Sequence, residues 1–364
     1  MPHKGSDEIA CRELPGAVVR VQGTCRTCDG GAFRKDGLVE FLRARASGGF
    51  EEHLVPARAA SAGRLAHLVH VVSGLERFLE RVRARRVLFF YPEFPLFHPA
   101  GWSKLPALAW ALGRLRRLMA WRGLSAVLDV EDLPGPQHRT LAGGAHPAGE
   151  RVLALAERAL AVFAAEAWLP SGSLAERWCA STGFARERVR IVPTGSLERT
   201  AGAGRMEGGC RLFYAGPLGP RQERGLSELI EAFLAVAAPD ARLVLAGAGG
   251  EWLAERGRGR VELAGPLEEG ACRELAGGCD WGLIPYPERG YFHEVFPAKL
   301  ALYTACGLPV LTTALHEAAA AVRGEGVGRV VPAADWAEFL RLASRARGGS
   351  PRVGAPWLWK RILA

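Results

Sequence analysis

His293-Glu-Val-Phe-Pro-Ala-Lys-Leu-Ala-Leu-Tyr-Thr-Ala-Cys-Gly-Leu-Pro-Val-Leu-Thr-Thr313 is the stretch from which the fold of this chain is read. A polar loop carries Glu294. An amphipathic helix is expected to begin near Pro297 and to hold Lys299 in its first turn. Gly307 ends that helix, and the apolar strand Leu308–Leu311 follows. Pro suits a first helical turn, where its missing N–H has no intrahelical partner to lose. The first amides of a helix lack partners and lie at the positive end of its dipole, so an anion is favoured there. A Lys in that turn can reach a bound phosphate. The plainer reading of the same residues is a core helix followed by a core strand.

Working outward, the C-terminal half repeats the strand and helix alternation. Arg211-Leu-Phe-Tyr-Ala-Gly216, Ala241-Arg-Leu-Val-Leu-Ala-Gly247 and Arg260-Val-Glu-Leu-Ala-Gly265 are short apolar runs that each end in Ala-Gly. Trp281–Pro285, Leu308–Thr312 and Arg329–Pro332 are further strand candidates, and Ser227–Val236 has a helical apolar pattern. Such alternation predicts βαβ units and a parallel sheet. Glycine at a strand C-terminus lets a ligand approach the backbone, where open α/β sheets bind their ligands. The N-terminal half reads the same way less cleanly. Ala17–Val21, Val87–Tyr91, Ala126–Val130, Ala161–Ala164 and Arg190–Val192 are its strand candidates, with a helix expected around Gly37–Arg45.

The sequence has 364 residues, enough for two domains. Its 49% hydrophobic and 23% charged residues place it among soluble globular proteins. Runs such as Leu105–Leu112 and Val152–Pro170 are too short or too charged to supply the ~20 apolar residues of a membrane span. Met1–Arg20 contains no signal-peptide apolar region, so a cytoplasmic location is expected.

The net charge of +9 is unevenly placed. Residues 1–200 hold 28 Lys and Arg against 20 Asp and Glu; residues 201–364 hold 19 against 18. No acid lies between Glu93 and Asp129, where Lys104, Arg114, Arg116, Arg117 and Arg122 alternate with Trp102, Trp110, Met119 and Trp121. That pattern fits a helix on an anionic membrane surface, or a crossover helix with a solvated basic face. No nucleic-acid-binding signature accompanies it, and nucleic acid is not an expected partner. Of the eight cysteines, Cys25 and Cys28 form a lone C-x-x-C without the second pair that a closed zinc site needs. No metal site is expected.

The segment Pro297-Ala-Lys-Leu-Ala-Leu-Tyr-Thr-Ala-Cys-Gly-Leu-Pro-Val310 resembles the donor-site segment of GT-B glycosyltransferases, in particular the large retaining family 4 (glycosyl transferases group 1). There a Pro-x-Lys-Leu-x-Glu-Tyr-x-Ala-x-Gly-x-Pro-Val pattern recurs. Leu169-Pro-Ser-Gly-Ser173 and Arg188-Val-Arg-Ile-Val-Pro-Thr-Gly195 resemble the end of the family's N-terminal domain, with Thr194 in place of Asn. The resemblance implies an α/β protein of two Rossmann-like domains facing across a cleft. Residues 1–195 would form the acceptor domain, 196–209 a linker, and 210–350 the nucleotide-sugar donor domain. Residues 351–364 would form a C-terminal helix that returns to the N-terminal domain.

The resemblance also implies the site. Gly216-Pro-Leu-Gly-Pro-Arg-Gln-Glu-Arg-Gly225 stands where relatives have Gly-Arg-x-x-x-x-Lys-Gly, whose cations bind the donor diphosphate. Pro217 replaces the first cation, Arg224 stands for the Lys, and Arg221 is a candidate replacement charge. Arg suits a diphosphate because its fork donates two parallel hydrogen bonds. The expected donor site is therefore Gly216, Arg221, Arg224, Glu294, Phe296, Pro297 and Lys299. Glu294 matches the first Glu of the family's Glu-x7-Glu motif, but the second position is Leu302, which cannot bind ribose hydroxyls. Glu131 and Asp132, in Asp129-Val-Glu-Asp-Leu-Pro134, stand where relatives have a His-Asp pair. A carboxylate there can deprotonate an acceptor hydroxyl or stabilise an oxocarbenium-like transition state. Asp29, before Gly30 and Gly31, is the competing base, and those glycines are the expected acceptor-binding backbone.

The expected function is transfer of a sugar from a UDP or GDP sugar to a glycan, lipid-linked or anionic acceptor, as a hexosyltransferase without cofactor or metal. The protein would be cytoplasmic, peripheral to the inner face of the cell membrane. The alternatives are a non-catalytic GT-B partner of another transferase, or a nucleotide-sugar epimerase.

Overall fold

Among the described residues, two six-stranded parallel sheets carry the chain. The computed structural model describes residues 14–21, 30–46, 49–55, 64–92, 105–142, 147–200, 209–219, 224–344 and 352–364. In the N-terminal half, β1 (Ala17–Val21), β2 (Glu51–Val55), β3 (Arg86–Tyr91), β4 (Ser125–Val130), β5 (Glu166–Leu169) and β6 (Val189–Ile191) lie in the order β2-β1-β3-β4-β5-β6. In the C-terminal half, β7 (Arg211–Ala215), β8 (Arg242–Ala246), β9 (Val261–Gly265), β10 (Trp281–Ile284), β11 (Val310–Thr312) and β12 (Gly328–Val330) lie in the order β12-β11-β10-β7-β8-β9.

The N-terminal helices are α1 (Gly30–Arg45), α2 (Arg64–Arg81), α3 (Leu105–Arg122), α4 (Pro134–Ala142), α5 (Pro147–Phe163) and α6 (Gly172–Thr182). Those that follow are α7 (Leu226–Val236), α8 (Glu251–Arg256), α9 (Glu269–Gly277), α10 (Lys299–Ala305), α11 (His316–Glu325), α12 (Trp336–Ala343) and α13 (Trp359–Ile362). Among the described residues no helix is long and apolar enough to cross a membrane.

Parallel strands need crossovers, and helices on both faces bury both sides of each strand. The N-terminal sheet shows this directly. Val19, Phe89 and Leu128 point into one apolar layer, with residues of α2, α3, α5 and α6. Their neighbours Val18, Leu88, Phe90 and Val127 point into the opposite layer, with Leu38, Val39 and Leu42 of α1. The side-chain period of two along a strand thus supplies both layers, and each fully buried side chain of this size contributes about 1.5–3 kcal/mol.

Three details depart from the sequence reading. Ala161–Ala164 is not a strand: it closes α5, whose buried Val152, Ala156 and Leu160 recur at four-residue spacing. The strand is the next run, Glu166-Ala-Trp-Leu169, because only it pairs with β4 and β6. The helix expected at Gly37 begins at Gly30, so Gly30 and Gly31 open α1 instead of preceding it. An edge strand, β2, was not anticipated; Glu51-Glu-His-Leu-Val pairs with β1 alone and carries polar residues along its open side.

The last helix leaves the C-terminal half and packs on α1. Trp359 is fully buried against the N-terminal sheet. Gly37 and Gly195 make the room, since a Cβ on Gly37 would lie 2.8 Å from Trp359 Nε1 and one on Gly195 2.6 Å from Cδ2. The Ser196 amide donates to Trp357 O (2.9 Å) and the Trp359 amide to Ser196 O (2.9 Å), so the chain's two crossings between the halves run side by side.

Candidate active site

The strand order of the C-terminal sheet reverses between β7 and β10, and an open parallel sheet binds its ligands beyond the strand ends at such a point. Gly216 follows β7 and Pro285-Tyr286-Pro287 follows β10. Gly216 has φ +146°, and a Cβ there would stand 2.8 Å from Lys299 Nζ. Gly225 has φ +84°, and its Cβ would meet Pro285 O at 2.0 Å. These two glycines let the loops after β7 and β10 press together with α10 beneath them.

Two cations converge there on one oxygen. Arg224 Nη1 donates to the Tyr286 hydroxyl at 2.9 Å, and Lys299 Nζ donates to the same hydroxyl at 2.8 Å. Both cations also lie over the Tyr286 ring, each 5.2 Å from its centroid, and Lys299 lies 4.9 Å from that of Tyr214. Lys299 and Tyr286 are buried. Burial alone would raise the Tyr286 pKa, but the two cations outweigh it and bring it down to about 8. Like charges brought together out of water are costly unless an anion joins them.

Across the cleft, β4 ends in Asp129 and Val130, and Glu131 and Asp132 follow it. Asp129 is committed to structure: its carboxylate takes Arg34 Nη2 at 2.5 Å and Nε at 3.0 Å, with neither side chain exposed. Arg34 also donates to Val192 O at 2.8 Å. Glu131 faces the cleft; burial first, and then the Asp132 charge, lift its pKa to about 8. Asp132 Oδ1 accepts from the Tyr291 hydroxyl at 3.0 Å, and Oδ2 from Gln137 Nε2 at 3.2 Å. The Tyr291 oxygen in turn accepts the Leu133 amide at 2.7 Å, and the Tyr291 amide donates to Thr140 Oγ1 at 2.9 Å. A tyrosine of the C-terminal half is thereby built into the β4–α4 loop of the N-terminal half.

Glu294 is held from the same side. Both its carboxylate oxygens accept from Arg177 of α6, and its carbonyl accepts from Ser171 Oγ. Ser171 is the N-cap of α6 and also accepts the Leu174 amide at 3.2 Å. Glu317 of α11 accepts the Ser173 amide at 2.6 Å. The start of α6 therefore docks on the C-terminal half through one orphan amide, that of Ser173, and the Ser171 hydroxyl.

A cavity of about 90 Å³ lies between the halves, lined by Glu131, Asp132, Arg224, Tyr286 and Lys299 among others. An open pocket of about 500 Å³ adjoins it, sharing Thr140, Leu141 and Tyr291, and carries Arg139, Arg177, Arg289 and Glu294. Of the residues expected from sequence, Glu131, Asp132, Arg224, Phe296, Pro297 and Lys299 line the smaller cavity and Glu294 the larger. Gly216 touches the Lys299 end. Asp29 and Arg221 lie outside the described residues, as do Cys25 and Cys28. Leu302 is buried in the C-terminal core. Sequence reasoning missed Tyr286, Tyr291 and Arg177. The proline on each side of Tyr286 was the one local signal for the first; nothing local marks the other two.

Residues 209–346 match the family model of glycosyl transferases group 1. That stretch of the C-terminal half, 209–346, is what is similar to the family. The whole chain has the GT-B fold, as its likeness to solved structures shows. It is similar to Anabaena HepE, solved with UDP and glucose, at 15% identity over 90% of this chain and 88% of that one, with a TM-score of 0.55. It is similar to the lipopolysaccharide outer core galactosyltransferase WaaB in its apo form, at 12% identity, 95% and 97% coverage and a TM-score of 0.57. A putative UDP-N-acetylglucosamine 2-epimerase from Listeria monocytogenes is also similar, at 14% identity, 96% and 95% coverage and a TM-score of 0.54. No curated protein matches the sequence.

Proposed function

We propose that this chain is a glycosyltransferase that moves a sugar from a nucleoside-diphosphate sugar to a glycan, lipid-linked or otherwise anionic acceptor. The observation that carries the reading is the convergence of Arg224 and Lys299 at the switch point of a group 1 glycosyltransferase domain. The donor diphosphate lies against these cations with the Gly216 backbone beside it. As the sugar–oxygen bond breaks, charge grows on the leaving diphosphate, and cations already aimed at it stabilise that charge without reorganisation. Nothing in this scheme requires a metal ion or cofactor. UDP, named with HepE, is the first base to try, and GDP the second.

Glu131 and Asp132 stand on the acceptor side. A carboxylate with a pKa near working pH is suited to take the acceptor proton, and Asp132 positions the loop through Tyr291. Glu294 and its neighbours Phe296 and Pro297 border the sugar. Asp29, Arg221 and the Gly30-Gly31 backbone remain proposed contributors. The open pocket with Arg139, Arg177 and Arg289 suits the anionic part of the acceptor. A nucleotide sugar needs several hundred Å³, so the cleft widens to admit the donor.

For location we propose the cytoplasmic face of a membrane. Trp110 and Trp121 are 45% and 78% exposed on α3, and Arg114, Arg116 and Arg117 are exposed with them. Liposome flotation tests this: binding should need anionic lipid and weaken in Trp110→Ser/Trp121→Ser. Binding to neither kind of vesicle removes the membrane from the reading.

The second reading is a non-catalytic nucleotide or glycan binder. It is favoured by Leu302, whose burial leaves the ribose without the family's acid. An epimerase is a lesser rival within the same fold. Calorimetric titration of UDP, GDP, ADP and TDP into wild type and Arg224→Ala tests the donor site, and product analysis with the matching sugar nucleotides separates transfer from epimerisation. One diphosphate should bind and be lost in the variant. Binding without any turnover would favour the non-catalytic reading; no binding would remove the donor site.

A further inference from the structure

Tyr286 is not accounted for by the diphosphate cradle as the family pattern describes it. Its hydroxyl lies where Arg224 and Lys299 point, 2.9 and 2.8 Å from them, and its ring lines the cavity. Pro285 and Pro287 flank it, and Tyr286 O accepts from Thr313 Oγ1 at 2.6 Å, which pins its backbone. A phenol oxygen that accepts from two cations has its own proton left to give. Arg224 and Lys299 can only donate as well, so three donors would meet at one point.

We propose that Tyr286 is the third ligand of the donor diphosphate, its hydroxyl donating to a phosphate oxygen while Arg224 and Lys299 hold the phenol oxygen from behind. The proposal rests on the donor site described above and goes beyond it, because it makes donor binding depend on one proton. A protonated Tyr286 completes the cradle. An ionised Tyr286 neutralises one of the two cations, offers no proton and repels the phosphate. The charged and titratable groups around it are Arg224 before α7, Lys299 and Tyr303 on α10, Tyr214 on β7, Asp132 across the cleft acting through Arg224, and Glu131, which lines the same cavity and whose own pKa is raised to about 8. Among these the Tyr303 phenol is pushed well up by burial, so it stays protonated where Tyr286 titrates. Ionisation of Tyr286 near pH 8 places the change within reach of experiment.

The test is calorimetric titration of UDP, GDP, ADP and TDP at pH 6.5, 7.5, 8.5 and 9.5 into full-length wild type, Tyr286→Phe and Arg224→Ala. Above pH 8 the wild-type Kd should rise about tenfold per pH unit, the slope of one lost proton. Tyr286→Phe should bind about three- to tenfold more weakly at pH 7.5, the loss of one hydrogen bond, and show no such slope. The two curves should therefore cross, with the Phe variant the tighter binder at pH 9.5. A retained slope in Tyr286→Phe would assign the proton to another group of the cavity, first of all Glu131, and overturn the proposal. Tighter binding by Tyr286→Phe at pH 7.5 would make the hydroxyl a competitor and also overturn it. No binding by wild type at any pH would instead overturn the donor site itself. Phenolate absorbance adds a check: ionisation near pH 8 in wild type should move to higher pH with bound diphosphate and be missing from Tyr286→Phe.

Discussion

Arg177 and Glu294 lie 117 residues apart in sequence and hold each other across the cleft, the guanidinium reaching both carboxylate oxygens. Glu294 is the acid proposed to border the donor sugar, so the contact ties the proposed donor side to the second turn of α6. Arg177 is partly exposed, and a pair of this kind contributes roughly 0–1 kcal/mol to stability. Its consequence is positional.

Arg177→Ala should leave the melting temperature nearly unchanged and widen the cleft. Small-angle scattering should show a larger radius of gyration for the variant than for wild type. An unchanged radius would mean that Tyr291 with Asp132, and Glu317 with the Ser173 amide, hold the halves together without it.

Gly216→Ala tests the cradle from its backbone side. The new Cβ would meet Lys299 Nζ at 2.8 Å and would sit on a φ of +146°. Strain of that kind costs about 1–3 kcal/mol, and the displaced ammonium should weaken diphosphate binding about tenfold or more, as loss of a charge-assisted hydrogen bond does. Denaturant unfolding and calorimetry separate the two effects. A destabilised variant with wild-type affinity would show that the ammonium has room to move.

Arg34 and Asp129 form an ion pair with both side chains fully buried. Removing one partner strands the other charge, so Arg34→Met should lose about 3–5 kcal/mol in urea unfolding. Arg34 joins α1, β4 and the Val192 carbonyl, so Asp129→Asn should lose stability in the same direction. A loss below about 1 kcal/mol for both would mean water reaches the pair.

Glu157 on α5 is buried and accepts from the Tyr91 hydroxyl at 3.1 Å. Burial, partly offset by that hydrogen bond, raises its pKa to about 7 from 4.5. Between these values the folded chain binds the proton and the unfolded chain does not. Stability from this group is therefore full below pH 4.5, falls as pH rises to about 7, and is level above. Glu157→Gln keeps the shape without the charge. It should match wild type near pH 4.5 and exceed it at pH 8, by on the order of 3 kcal/mol from the size of the shift. Equal melting of the two proteins at pH 8 would mean the carboxylate is solvated when charged.

The alternation of strands and helices was legible because it depends on neighbours in sequence. Arg211–Ala215 and Arg242–Ala246 are apolar runs stopped by glycine, and they are strands within a residue of where they were read. Ala161–Ala164 misled because four apolar residues fit either a strand or the buried end of a helix. Which one forms depended on the helical register that began at Val152. Glu51–Val55 is not legible as a strand, because an edge strand needs only one neighbour and carries polar residues.

What the sequence alone determined was the fold; it also pointed to the half of the proposed site that follows the strand ends, namely Gly216, Arg224, Lys299 and the Glu131-Asp132 pair. The strand ends, glycines and helix starts are set by local rules, since they fall where the chain changes period; Arg224, Glu131 and Asp132 at those ends were singled out by the resemblance. Only the tertiary structure decided the pairings. Tyr286 meets Arg224 across 62 residues, Tyr291 meets Asp132 across 159, and Arg177 meets Glu294 across 117. The physical reason is that a hydrogen bond depends on distances of about 3 Å, and neither composition nor periodicity encodes which distant side chains two packed sheets bring that close.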